Sequence, residues 1–227
     1  MPLIGVVTGL KSEIASLRPV WRGAAFAFFA AGGSAARAED AARRMAAGGV
    51  ALLMSVGVAG GLDPGALCGD VVLARSVKGP DGRAYPADAA WHARLAAAFS
   101  TGVRWSDAAL LGSDRAILGV ADKAALFRQT GAAAVDMESH GVARAAAALN
   151  VPFVALRAIA DPAGCAIPSS AMAGMAADGS TRALAVLARL SLRPWEIPAI
   201  ARLARDSRRA HAALGRVALA VGGVLVG

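Results

Sequence analysis

The chain has 227 residues, of which 56% are hydrophobic and 5% aromatic, and its formal net charge is +8. This length fits one large α/β domain with a substantial core, and the hydrophobic fraction excludes a disordered chain. The positive charge suggests a polyanionic partner. Most of it, however, is arginine dispersed along predicted helices, without the basic and aromatic runs of single-strand binders. Nucleic-acid binding is therefore not expected.

The cysteine pattern and the N-terminus indicate the compartment. Cys68 and Cys165 form neither a metal-ligand spacing nor a disulfide framework. The N-terminus lacks the cationic lead and cleavage site of a signal peptide. No apolar run reaches the roughly 18 uncharged residues of a spanning helix. We therefore expect a cytoplasmic protein.

The first predicted unit is a strand followed by a helix. Residues 3–8 form a short apolar run, typical of a strand buried on both faces. Gly9 interrupts this run, and the segment Lys11–Leu17 predicts a helix. Glu13 then lies in the first helical turn, where a carboxylate also complements the helix dipole.

A second strand, a capped helix and a third strand follow. The apolar run 26–30 precedes Ser34, which can cap an amphipathic helix over 35–47. Residues 50–56 predict the third strand, which enters the glycine-rich segment 57–65. Such a loop lets a ligand approach the backbone closely. Turns also need glycine, and the segment matches neither the dinucleotide nor the phosphate-loop motif.

The middle of the chain continues the alternation of strands and helices. We predict strands over 70–76 and 103–111, helices over 87–99 and 121–129, and a loop over 78–82. No internal repeat is visible. Strands that alternate with helices in this way are typical of a layered α/β/α domain.

Three carboxylates mark the predicted site. Asp136 and Glu138 stand at the start of a helix predicted over 137–149, and Asp161 ends an apolar strand over 153–160. Carboxylates are scarce here, since Asp and Glu together number 16 in the chain. Ligands of α/β sheets bind at the carboxyl ends of strands and the amino ends of helices. We interpret this helix–strand unit as the functional site.

The C-terminal part has a different composition. A helix is predicted over 171–190, an arginine-rich amphipathic helix over 199–216, and an apolar, glycine-interrupted end over 217–227. The arginine-rich helix either packs on the domain with a solvated basic face or rests on a membrane surface. We therefore predict a catalytic domain, 1–190, and a basic amphipathic extension, 191–227, which faces the membrane under the second interpretation.

Four sets of segments resemble, in the right order, motifs of the nucleoside phosphorylase/nucleosidase superfamily. The similar branch contains the methylthioadenosine/S-adenosylhomocysteine nucleosidases. The segments are 4–7 followed by Glu13, 57–62 followed by 69–72, 135–139, and 151–153 followed by 157–161. The resemblance implies a three-layer α/β/α fold with a mixed central sheet. It also implies a homo-oligomeric enzyme that acts on purine nucleosides.

The resemblance assigns a role to each of three carboxylates. Asp161 protonates or hydrogen-bonds purine N7, and its apolar flanks can raise its pKa so that it donates a proton near neutral pH. Glu13 activates the attacking water, and Glu138 accepts hydrogen bonds from the ribose hydroxyls. Asp136 is interpreted as structural. The chemistry needs neither a metal nor an organic cofactor.

Apolar and backbone contacts to the nucleoside complete the implied site. Met137 packs against the apolar face of the sugar under this resemblance, although a plain core role is equally compatible with its position. The remaining substrate-binding residues that we predict are Val58, Ala59, Gly60 and Ile117.

A narrower resemblance is to the hopanoid-associated phosphorylases, and it implies release of adenine from the lipid-linked nucleoside adenosylhopane. Its cues are 61–64, 123–132 and Asp161-Pro162, together with the arginine-rich end. Val58 and Ala160 stand where the nucleosidases usually carry serine. Losing both hydroxyls disfavours a small polar 5′ substituent and suits a hydrocarbon, although a composition bias toward Ala and Val is a second explanation.

Three alternatives remain open on the sequence. We expect hydrolysis because no strong phosphate motif is visible, but phosphorolysis of the same bond is the first alternative. Methylthioadenosine, S-adenosylhomocysteine or another soluble purine nucleoside is the second, as substrate. A nucleoside-binding or membrane-associated protein without catalysis is the third. For a lipid-linked substrate, the extension would bring the protein to the inner face of the membrane.

Overall fold

The computed structural model of the chain describes residues 3–99, 103–174, 176 and 178–226. Its strands are β1 Ile4–Thr8, β2 Phe26–Ala30, β3 Leu52–Gly61, β4 Val71–Ala74, β5 Ser76–Lys78, β6 Ala84–Pro86, β7 Trp105–Ser106, β8 Ala109–Gly112, β9 Ala134–Asp136 and β10 Phe153–Asp161. Its α-helices are α1 Lys11–Leu17, α2 Ala35–Ala47, α3 Ala89–Ala98, α4 Val120–Thr130, α5 Ser139–Leu149, α6 Ser169–Met172, α7 Ala183–Leu192 and α8 Ile197–Val226. Short 3₁₀ turns occupy Gly23–Ala25 and Pro194–Glu196.

Within the described residues, ten strands form one mixed sheet. The strand order is β6-β5-β8-β9-β3-β10-β4-β7, and β1 pairs with both β3 and β2. The strands β2, β1, β3 and β10 run parallel, whereas β9 and β4 are antiparallel to β3 and β10. Helices α1, α3 and α8 pack on one face of the sheet, and α2 and α5 pack on the other. The predicted three-layer α/β/α fold is confirmed.

The glycine-rich segment belongs to the sheet. The predicted third strand ends at Val56, but β3 continues through Gly61. A Cβ atom at Gly57 would lie 2.3 Å from Arg157 Nη1 and 2.5 Å from Glu13 Oε1. The glycine thus allows buried side chains to approach the strand, and the prediction of a loop from residue 57 was wrong at this end.

Several predicted element boundaries also differ from those in the structure. The strand predicted over 70–76 is divided into β4 and β5, and the strand over 103–111 into β7 and β8. Strand β6 lies between the predicted loop 78–82 and the helix predicted from residue 87, where no element was predicted, and β9 precedes the helix predicted from residue 137. Strands of two to four residues are too short to show a clear period of two. Their boundaries could therefore not be predicted from the hydrophobic pattern.

The described residues of the C-terminal part form three α-helices. The single helix predicted over 171–190 is replaced by α6 and α7, and two of its residues, Met175 and Ala177, lie outside the described residues. Helix α8 continues without interruption through the described part of the predicted apolar end, to Val226. Leu214, Val217 and Val221 of α8 are fully buried against the sheet. The indole Nε1 of Trp21 donates a hydrogen bond to Ala218 O over 3.1 Å.

Length and composition alone would allow this last helix to cross a membrane. Within the part of the chain that is described, the segment Pro194–Val226 meets this criterion, with a mean hydropathy of 1.3 in an apolar window that is 39% buried. A core helix of a folded domain meets the same criterion, so it is weak evidence for a span. The predicted division of the chain after residue 190 stays a prediction.

Candidate active site

A cavity of about 260 Å³ lies at the carboxyl ends of β1, β3 and β10, beside the junction of β9 and α5. Sheets place the ends of parallel strands together, so side chains distant in the sequence meet at this edge. All eight predicted site residues line the cavity, namely Glu13, Val58, Ala59, Gly60, Ile117, Met137, Glu138 and Asp161.

Glu13 is held by the backbone on both sides of its carboxyl group. Its Oε2 accepts a hydrogen bond from Leu10 N over 2.7 Å, and its Oε1 accepts one from Val58 N over 2.7 Å. The side chain is almost completely buried. Burial raises the pKa of Glu13, although the Arg157 cation and these two N–H donors act in the opposite direction. A fixed carboxylate with a raised pKa is suited to take a proton from water.

Glu138 is the N-cap residue of α5 and is also buried. Burial raises the pKa of Glu138, and the nearby carboxylates of Asp136 and Glu13 raise it further against the opposing Arg157 charge. A Cβ atom at Gly9 would lie 2.7 Å from Glu138 Oε1. The absence of a side chain at Gly9 therefore makes room for the carboxyl group beside the end of β1.

Asp161 ends β10 and pairs with a lysine that is completely buried. Lys123 Nζ lies 2.5 Å from Asp161 Oδ2. Burial raises the pKa of Asp161 to about 6, even though the Lys123 cation and its hydrogen bond lower it. Near neutral pH this carboxyl group therefore retains a protonated fraction, which a proton donor needs.

Arg157 is the buried cation beneath the other carboxylates. It lies on β10 opposite Gly57 of β3, and its Nη2 forms an ion pair with Asp136 Oδ2 and lies 3.6 Å from Glu138 Oε2. The same Nη2 donates to Ser55 Oγ over 2.7 Å and to Ser139 Oγ over 3.1 Å. Burying several carboxylates is costly without a compensating cation. Arg157 provides this positive charge and offsets part of the cost.

Asp136, interpreted from the sequence as structural, is held by Ser139 and also lines the cavity. It ends β9, and its Oδ2 accepts hydrogen bonds from Ser139 N over 3.1 Å and from Ser139 Oγ over 2.5 Å. The prediction that Asp136 starts a helix was wrong, because α5 begins at Ser139. Asp136 links the Arg157 guanidinium to the first turn of α5.

The predicted substrate-binding residues form a largely apolar wall. Ala59 is buried, whereas Val58, Gly60, Ile117 and Met137 are half-buried at the surface of the cavity. The backbone N–H of Val58 is already bonded to Glu13. This N–H group is therefore engaged within the protein, and the Val58 side chain packs against the core.

Several functional candidates were not singled out from the sequence. Lys123 and Arg157 entered only as parts of resembling segments, although a charged residue inside an apolar strand could have drawn attention to Arg157. The cavity is also lined by Ala171 and Met172 of α6 and by Leu203 and Ser207 of α8. Nothing in the sequence pattern connects these two helices with the carboxylates.

Comparison with known proteins identifies relatives of the chain. The sequence profile of the phosphorylase superfamily matches residues 32–193. A futalosine hydrolase from Streptomyces coelicolor is 37% identical over 131 residues, which cover 50% of this chain and 54% of that protein. The chain thus matches about half the length of this curated relative.

Solved structures share the fold. A 5′-methylthioadenosine/S-adenosylhomocysteine nucleosidase from Colwellia psychrerythraea, in complex with adenine, has a TM-score of 0.75 at 17% identity, covering 99% of this chain and 96% of that one. The corresponding nucleosidase from Neisseria meningitidis, in complex with methylthio-immucillin-A, has a TM-score of 0.75 at 18% identity, covering 98% and 100%. At these identities the likeness concerns the fold.

Proposed function

The chain belongs to the phosphorylase superfamily, and we propose that it cleaves the N-glycosidic bond of a purine nucleoside by attack of water. The single observation that carries the proposal is the convergence of Glu13, Glu138 and Asp161, all buried, on one cavity. Structural ion pairs would not need three carboxyl groups with raised pKa values beside an open cavity.

Each carboxyl group takes one task in the reaction. Glu13 accepts a proton from water while the water oxygen bonds to the anomeric carbon. The bond from that carbon to the purine nitrogen breaks, its electron pair passes to the base, and Asp161 donates or shares a proton at N7. Glu138 accepts hydrogen bonds from the ribose hydroxyls and, in its ionised form, stabilises the cationic sugar of the transition state.

Charge favours water over phosphate as the nucleophile. Among the described residues that line the cavity, Arg115 is the one arginine or lysine, and it is exposed. Arg157 lies beneath the cavity and is engaged by carboxylates. A phosphate dianion would approach three acidic groups with little cationic compensation. The relative from Streptomyces coelicolor is likewise a hydrolase by name.

We propose further that the 5′ side of the nucleoside is hydrocarbon, with adenosylhopane as the substrate and adenine as the released base. Apolar side chains line much of the cavity, among them Val58, Ile117, Ile167, Met172 and Leu203. Such a lining gives a polar 5′ group few hydrogen-bond partners, whereas it favours apolar surface. The enzyme would then work in the cytoplasm, at the inner face of the membrane.

Base release from a panel of nucleosides tests this proposal. The panel contains adenosylhopane in mixed micelles, methylthioadenosine, S-adenosylhomocysteine and futalosine, each with and without phosphate, and the free base is measured by chromatography. We expect adenine from adenosylhopane without phosphate, at a kcat/KM at least about tenfold above the soluble nucleosides. Preference for a soluble nucleoside would reassign the substrate. No base from any of them would overturn the activity.

An exposed apolar surface near the cavity is the membrane contact that we propose. Leu184, Leu187 and Leu192 of α7 are 81%, 59% and 73% exposed, and Trp195 is 71% exposed. Helix α7 has no buried residue. Arg182 and Arg189 of this segment add positive charge, whereas Arg193 is paired with Glu196. Exposed leucines beside arginines suit an anionic bilayer.

Charging this surface tests the membrane contact. The double variant Leu184→Glu, Leu187→Glu should no longer sediment with phosphatidylglycerol vesicles, because it places two carboxylates against an anionic surface. The control Leu149→Glu, at a position 43% exposed on α5, should sediment like the unaltered protein.

We also propose a homo-oligomer. Loss of the oligomer in light scattering, with vesicle binding unchanged, would assign the surface to a subunit interface instead.

A further inference from the structure

We propose that Lys123 is a positioning residue for Asp161, holding carboxyl oxygen Oδ2 so that Oδ1 is the oxygen that meets the departing base. This inference rests on the proposed function. Lys123 lies in the first turn of α4, and it is 0% exposed. Its ammonium group is within hydrogen-bond distance of both the carboxyl group and the backbone carbonyl of Asp161.

The buried position of Lys123 is energetically unfavourable unless its positive charge is paired. A cation in the first turn of a helix opposes the helix dipole, and burying an ammonium group is unfavourable unless it is paired. Its partner is Asp161 Oδ2, at 2.5 Å. The pair therefore joins the amino end of α4 to the carboxyl end of β10, at the edge of the cavity.

The other contacts of Lys123 fix the backbone that follows β10. Its Nζ lies 2.9 Å from Cys165 O and 3.2 Å from both Asp161 O and Pro162 O. Ile167 N donates to Leu118 O over 3.0 Å just beyond this turn. Lys123 thus holds the turn 161–165 as well as the carboxyl group, which limits the directions that Asp161 can face.

Charge gives Lys123 a second effect on the same group. The cation lowers the pKa of Asp161, which burial raises, and the balance is a value of about 6. Other titratable groups around Asp161 are the Cys68 thiol, which the Asp161 charge influences, and the carboxyl groups of Glu13 and Glu138 across the cavity. Lys123 is the cation in direct contact with Asp161.

Neutral variants of Lys123 separate positioning from simple packing. In Lys123→Met and Lys123→Gln, kcat should fall while KM changes little, because Lys123 does not line the cavity. The alkaline limb of kcat/KM should move to higher pH by about one to three pH units. The matched control is Lys78→Met, since Lys78 Nζ donates to Thr130 O at the other end of α4. It should keep the unaltered pH profile.

A measurement without turnover keeps this inference independent of the reaction. The Asp161 carboxyl carbon is titrated by ¹³C NMR in the unaltered protein and in Lys123→Gln, with Asp161→Asn identifying the signal. A higher pKa of Asp161 in Lys123→Gln is expected, whether or not any nucleoside is cleaved. An unchanged Asp161 titration would overturn the role of Lys123, whereas absence of base release from every nucleoside would overturn only the proposed function. Lys123→Gln retains N–H donors for the turn carbonyls, so it is the variant expected to fold if Lys123→Met does not.

Discussion

Asp161→Asn is expected to lower kcat/KM for base release by about 10²–10⁴-fold, the range associated with general acid catalysis. Asn has nearly the same shape as Asp and can still accept a hydrogen bond from Lys123, but it cannot donate a carboxyl proton to the purine. The base would then depart as an anion, which is the costly step that protonation avoids. Steady-state kinetics near pH 6, the pKa of Asp161, measures the loss.

A remote aspartate provides the control for this substitution. Asp81 lies in the turn between β5 and β6, where its Oδ1 accepts a hydrogen bond from Arg83 N over 3.1 Å. Asp81→Asn should keep the activity of the unaltered protein. If Asp161→Asn also stays within about threefold, which corresponds to well under 1 kcal/mol, Asp161 does not donate the proton.

Glu13→Gln is expected to lower kcat by about 10²–10⁴-fold with a small change in KM, because the water loses its proton acceptor. The hydrogen bonds of Glu13 mean that Glu13→Gln should also lower the stability of the fold. Both carboxyl oxygens accept backbone N–H bonds, from Leu10 and Val58. The amide nitrogen of Gln would face one of these donors, which leaves a buried N–H unsatisfied at a cost of about 1–3 kcal/mol.

Two measurements separate these effects of Glu13→Gln. Urea unfolding gives the stability loss, and kinetics below the unfolding temperature gives the catalytic loss. Addition of phosphate should not restore turnover, since water is the proposed nucleophile. Restoration by phosphate would favour phosphorolysis. In the unaltered protein the activity should also decline in acid, as Glu13 is protonated around a pKa above its usual value.

Local pattern was sufficient to predict the layered α/β/α fold and the positions of Glu138 and Asp161, whereas Glu13 and Ile117 were assigned to the site through the family resemblance. Apolar runs such as 153–160 indicated buried strands, and the few carboxylates lay at predicted strand and helix ends. Since parallel strands end at a common edge, Glu13 and Asp161 could be placed together despite their separation in the chain. Their chemical roles stay predictions until the variants are measured.

The sequence pattern could not predict which buried charged side chains pair with each other when they lie on different strands and helices. Lys123 looks like an ordinary residue of an exposed helix until α4 is packed against the end of β10. Arg157 likewise acquires its partners only when β10 lies beside β3 and β9 brings Asp136 close. Such pairs depend on tertiary packing, which overrides the local periodicity used to find helices and strands.

The C-terminal part was difficult for a related reason. An amphipathic pattern in α8 indicates an apolar side but does not say what covers it. The fold covers Leu214 and Val217 with the sheet and leaves Leu184 and Leu187 of α7 exposed. Exposed leucines therefore lie on α7, and Ile197 and Leu219 of α8 are also exposed, by 52% and 68%.

The central claim, water attack at the anomeric carbon, is tested most directly by the origin of the oxygen in the sugar product. The protein is incubated with the nucleoside that it cleaves fastest, in phosphate-free buffer made with H₂¹⁸O, and the quenched sugar product is analysed by mass spectrometry at times short compared with exchange of its anomeric oxygen. Hydrolysis predicts free base and one ¹⁸O atom in each product sugar. Release that requires phosphate, with a sugar phosphate as the product, would contradict the account.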